Sequence, residues 1–170
     1  MLESSFEFDF RGLCMDKFFR VFEPFYLLML GIGVGGIVAC GAFAAPVVFN
    51  MKDIVAGTSV LDSGVVMSMI FMRLNGFLQG LLALIAVYEI ASFIFLRRSD
   101  RYSILWLILG VLSVIFISLF VWYYTPFIAN IENLASENFK SMHEQSVVVF
   151  KALMASLSVL FIFRIYIKMK

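Results

Sequence analysis

Four long apolar stretches leave this chain few ways to fold. Residues 25–49, 65–96, 103–125 and 147–167 are each about 20 residues or longer and almost free of charge, the length that crosses the hydrocarbon core of a bilayer. A segment in lipid satisfies its own backbone, so each stretch is expected to be a helix. The second is longer than a bilayer needs, which predicts tilt or projection beyond the membrane. The expected fold is therefore all-α: one integral membrane domain over residues 1–170, built as a bundle of four transmembrane helices. Only 15% of residues are charged, against about a quarter in soluble domains.

"MLESSFEFDFRGLCMDKFFRVFE" is acidic throughout and has no clean apolar core, so it is not expected to be a cleaved signal. Phe8, Met15, Phe18, Phe19, Phe22 and Phe25 share one helical arc, and Asp9, Asp16, Lys17, Arg20 and Glu23 the other. Residues 1–23 thus read as an amphipathic helix lying in the membrane interface, with Pro24 opening the first span. Positive charges set the expected orientation. Arg11, Lys17, Arg20, Arg97, Arg98, Arg101, Arg164, Lys168 and Lys170 fall on one side, and only Lys52 and Lys140 on the other. Both termini are expected in the cytoplasm.

A helical wheel divides span two. Ile70, Leu74, Phe77, Leu78, Leu81, Leu84, Ile85 and Tyr88 form a bulky arc, read as facing lipid. Arg73, Asn75, Gly76, Gln79, Gly80, Ala83, Ala86 and Glu89 form a small and polar arc, read as facing the bundle, because small residues admit close helix contact. Span one has two small stripes, Gly31, Gly35, Ala39, Ala42, Pro46 and Gly33, Gly36, Cys40, Ala44, which places it centrally. Pro46 is expected to kink its outer end. Glu89, two turns before Arg97 and Arg98, reads as an acid in a local ion pair or at the interface.

Charges inside a bilayer mark candidate sites. Arg73 lies near the outer end of span two and Lys151 about a turn into span four, with His143 and Ser146 just ahead of it. Asn75 adds an amide. The alternative for both cations is snorkelling to the headgroups. No acid is placed to orient His143 and no oxyanion element is visible, so an enzyme is not expected. With a single His, a bis-histidine haem is excluded, although Met remains a second axial ligand. Met69, Met72 and Met142 with His143 form a soft set that suits Cu(I), against which stands methionine's ordinary use as filler. Cys14 and Cys40 sit in different settings, and no disulfide is expected between them. No basic block points to nucleic acid.

"GAFAAPVVF", "IFMRLNGFLQGLLALIA", "WYYTPFIANIENL" and "FKSMHEQSVVVFKAL" follow one another across residues 28–160. In this order they resemble the signatures of a small bacterial membrane family known as domain of unknown function 4149. The positions that match are Pro46, Phe49, Arg73, Pro126, His143 and Ser146, and Met142 stands where Leu is usual. The family is distantly similar to the transmembrane protein 205 group and to copper-resistance proteins of the D type. The resemblance implies a four-helix protein of the bacterial inner membrane and names no activity. The reading from the residues is a non-enzymatic membrane protein with a polar site near the outer surface for a ligand, an ion or a partner. That partner is a membrane protein or a second copy. Copper or haem bound through Met69, Met72 and His143 is the alternative.

Overall fold

A computed structural model describes the backbone of residues 2–96, 102–130, 132–133 and 136–169, and their side chains except those of 2–18, 52 and 167–169. The described chain is all helical. Helix α1 (Leu2–Val38) leads through a π-helical turn at Ala39–Ala44 into α2 (Ala45–Phe49). Helix α3 is Val60–Leu96. Helix α4 (Ile104–Ser118) leads through a second π-turn at Leu119–Tyr124 into α5 (Thr125–Ala129), and α6 is Phe139–Met169. Among the described residues, four helical segments are long and apolar enough to cross a membrane: Phe19–Phe49, Val60–Leu96, Ile104–Ala129 and Phe139–Tyr166.

Local chemistry explains the ends. Ser59 and Asp62 cap α3 reciprocally: Asp62 Oδ2 accepts from the Ser59 amide at 2.8 Å, and Ser59 Oγ accepts from the Asp62 amide at 3.2 Å, a capping box. Spans one and three share one device. Each has a π-turn just before a proline, Pro46 or Pro126. Proline has no N–H and its ring crowds the preceding turn. In both spans the preceding residue donates five residues back, Ala45 to Cys40 and Thr125 to Phe120. The Thr125 hydroxyl also donates to the Phe120 carbonyl at 2.8 Å. The expected kink at Pro46 is thus a widened turn.

The spans pack in the cyclic order α1, α3, α4, α6, which leaves α3 diagonal to α6. Span one is therefore one of four in a ring and not central. Its stripe of Gly33 and Gly36 turns inward, where a Cβ would meet Leu81 Cδ2 at 2.6 Å and Leu74 Cδ1 at 3.3 Å. Gly35, Ala39, Ala42 and Pro46 face out. The assignment of faces on span two is corrected. Leu74, Leu78, Leu81, Ile85 and Tyr88 form the core, while Arg73, Gly76, Gln79, Gly80 and Ala83 are exposed. The bulky side chains of α3 seat against the glycines of α1, so the small surface needed for close approach comes from the partner helix.

The N-terminal stretch differs in its join. Helix α1 runs through Pro24 without a break, and Phe19 is buried against Tyr88 and Phe95, with centroids 5.7 and 6.4 Å away. Residues from Phe19 onward therefore belong to the bundle. The side chains of Phe8, Met15, Phe18, Asp9, Asp16, Lys17, Arg11 and Cys14 lie outside the described residues, as do Lys52, Arg97, Arg98, Arg101, Lys168 and Lys170.

Candidate functional site

Two places bring chemistry together, one at each end of the bundle. At the end of the bundle that holds Phe49, Val60 and Phe139, all four spans line a cleft of about 520 Å³. Its wall is mostly apolar: Val60, Leu61, Val65, Met69 and Met72 from α3, and Phe49 from α2. A chamber of about 70 Å³ adjoins it, sharing Ser68, Phe71, Ile128, Ala129 and His143. The chamber rests on three rings from three spans. Phe71 meets Phe150 at 5.4 Å and Phe120 at 5.7 Å, and Phe120 meets Phe150 at 4.8 Å. These rings bridge the diagonal between α3 and α6, whose backbones stand apart.

His143 lies in the second turn of α6, because that helix starts at Phe139 and not at the expected 147. Its ring runs parallel to that of Phe139, with centroids 6.2 Å apart. Ser146 lines the chamber, and its hydroxyl donates to the His143 carbonyl at 2.7 Å. This is a back-bond within the helix, so the pair forms neither a cap nor a dyad. The polar side chains that line the cleft and chamber are His143, Ser68, Thr125 and Ser146, of which Thr125 is bonded to the Phe120 carbonyl and Ser146 to the His143 carbonyl.

The other expected site residues fall elsewhere. Arg73 and Lys151 are exposed on diagonal spans and line neither space. Asn75 is buried in the bundle with its Oδ1 unpartnered. Pro46 and Pro126 shape their helices and line neither space. Met69, Met72 and His143 do share the cleft, but Met142 does not line it. Among the described residues no three His, Cys, Asp or Glu side chains cluster as metal ligands. Cys40 is a free thiol.

Sequence reasoning missed the site at the opposite end of the bundle. Glu89 is buried and receives Arg164 Nη2 at 2.5 Å on Oε2 and the Tyr26 hydroxyl at 2.7 Å on Oε1. Arg164, 1% exposed, lies 4.0 Å over the Trp106 ring and 5.0 Å over Tyr88, with Glu23 Oε1 3.9 Å from Nη1. Glu89 is therefore a buried acid and not an interfacial one, and Arg164 is buried with it; Arg97 and Arg98 lie outside the described residues. All four spans enter this clasp: Glu23 and Tyr26 from α1, Tyr88, Glu89 and Ser92 from α3, Trp106 from α4 and Arg164 from α6. Among the described residues, Arg164 Nε, Trp106 Nε1 and Tyr102 Oη are buried without hydrogen-bond partners. The one signal in the sequence was an acid and a base, each the lone charge on its turn, at the same end of two spans.

Comparison with known proteins gives one match: a family described as Domain of unknown function (DUF4149), over residues 28–137. No curated protein and no solved structure matches the chain.

Proposed function

The chain belongs to the DUF4149 family, and from that premise we propose that it is a non-enzymatic binding protein of the bacterial inner membrane, with both termini cytoplasmic, whose outer cleft holds an amphiphile. One observation carries this reading: the cleft is apolar along its length and carries an imidazole and a hydroxyl at its inner wall. Ligand sites of about 300–1,000 Å³ with apolar walls and few polar groups are the usual form of small-molecule pockets. The polar site expected from Arg73, Lys151 and His143 becomes a site for a chain with one polar end. The chain lies along Val60, Leu61, Val65 and Met69, and the polar end meets His143 and Ser68.

A fatty acid bearing a photoreactive diazirine on its chain tests this in proteoliposomes. Adducts are expected to concentrate on peptides covering residues 60–72 and 139–147. Gly64 lines the cleft, and a Cβ there meets nothing within 4 Å. Gly64→Trp is therefore expected to fold, fill the cleft and reduce those adducts about tenfold, the scale set by losing a well-filled apolar pocket. Adducts spread evenly over the outward face of α4, unchanged by Gly64→Trp, would sink the reading.

A second reading has its own observation. Met69, Met72 and His143 line the same cleft, and two thioethers with an imidazole suit Cu(I). It predicts one Cu(I) per chain in anaerobic competition with a chelator, lost in the Met69→Leu/Met72→Leu/His143→Ala variant. Wild type that takes up no Cu(I) rules this reading out. Haem would draw on the same His143 with a methionine opposite, and a purified sample without a Soret band argues against it.

A further inference from the structure

Span two presents an outward face with no function inside the chain. At 100° per residue, the buried Leu74, Leu78, Leu81, Ile85 and Tyr88 define the inward direction of α3, and Gly76 points opposite to it. Gln79, Gly80 and Ala83 flank Gly76, and all are exposed. A Cβ at Gly76 or Gly80 would meet nothing within 4 Å. Glycine costs about 1 kcal/mol relative to alanine inside a helix, and here the bundle gains no contact from it. The contrast with Gly33, Gly36 and Gly110 is direct, since each of those admits a neighbouring side chain.

A separate observation comes from Gln79. Among the described residues its amide has no hydrogen-bond partner, and it stands near the middle of the 37-residue α3. The hydrocarbon core is about 30 Å thick, so a residue at its middle lies about 15 Å from either headgroup layer, and a side chain this short cannot reach headgroups. An unpaired amide in hydrocarbon costs several kcal/mol. The outward face of α4 shows what this protein presents to lipid: Ile108, Val111, Leu112 and Ile115. The face of α3 is flat, backbone-exposing and polar at its centre.

We propose that this face of α3 binds a second copy of the chain, forming a two-fold dimer in which Gly76 and Gly80 allow the helices to approach and each Gln79 amide bonds the other. The choice of a second copy rests on chemistry. An amide donates and accepts, so two of them satisfy each other across a two-fold axis, where identical surfaces meet. Small residues and interhelical amides are what associates helices in lipid. Arg73 lies at the edge of the face, nearly two turns toward the outer surface, where its long side chain reaches headgroups and not its own copy. The proposal does not depend on the cleft and its ligand.

The test is the stoichiometry of the full chain in bilayers, by single-molecule photobleaching, with cysteine cross-linking in a Cys14→Ser/Cys40→Ser background. Ala83→Cys is expected to give disulfide dimers in native membranes, and Ile108→Cys, on the outward face of α4, is not. Gln79→Leu and Gly80→Ile are each expected to lower the dimer-to-monomer ratio about tenfold. Both substitutions point into open space, so the monomer should keep its helicity and melting temperature. A monomeric wild type, equal cross-linking at Ala83→Cys and Ile108→Cys, or a dimer untouched by both substitutions would overturn the proposal. So would a monomeric chain that co-purifies in fixed ratio with a different membrane protein.

Discussion

Arg164→Met is expected to destabilise the bundle by about 3–5 kcal/mol, the cost of removing one partner from a buried ion pair. In thermal unfolding of the detergent-solubilised protein that is a fall of roughly 10 °C. The substitution removes the only cation in contact with Glu89 among the described residues, the support of Glu23, and the contacts of the guanidinium with Trp106 and Tyr88. A carboxylate then stays in the protein interior with a single hydroxyl donor, Tyr26. Glu89→Leu should cost less, because Arg164 keeps Glu23 as a nearby counter-charge. The double variant Glu89→Leu/Arg164→Met should recover much of the loss, since an apolar pair of similar volume often does as well as the ions it replaces. If the double variant is as unstable as the two singles added together, the cost does not come from uncompensated charge.

The clasp also shows where sequence reasoning stopped. The four spans were legible because length and composition decide them: little besides a helix can run through about 20 apolar residues in lipid. The cleft was partly legible. Met69 and Met72 start one span and His143 starts its diagonal neighbour, so both had to lie at the same membrane surface. Rotation of each helix was not legible. In water an amphipathic stripe finds the core, but in lipid both sides of a helix meet apolar surroundings. The bulky face of α3 and the glycine face of α1 are complementary, Leu81 against Gly33 and Leu74 against Gly36. Either helix read alone invites the wrong choice. Arg73 and Lys151 were drawn toward a shared pocket by depth alone, and depth says nothing about azimuth. The Glu89–Arg164 pair joins residues 75 positions apart, a separation that no local spacing rule encodes.

Gly110→Ala should have an effect whose sign depends on the clasp. A Cβ at Gly110 would lie 2.6 Å from Glu89 Cγ, 3.3 Å from its Cβ and 3.4 Å from its Cδ. Glu89 cannot swing aside cheaply, because one oxygen is bonded to Tyr26 and the other to Arg164. The added methyl must separate α4 from α3 or pull the carboxylate off its partners, and overpacking of this kind costs about 1–3 kcal/mol. In a Glu89→Gly/Arg164→Met background the obstacle is gone, because the Cβ, Cγ and Cδ of residue 89 are all removed. Only the helix preference remains, which favours alanine over glycine by about 1 kcal/mol. Gly110→Ala should therefore lower the melting temperature of the wild type and raise that of the double variant. Equal destabilisation in both backgrounds would mean that Gly110 serves something other than the seat of Glu89. The reversal would show that a glycine on α4 exists to admit one buried acid from α3, which fixes how closely those two spans pack.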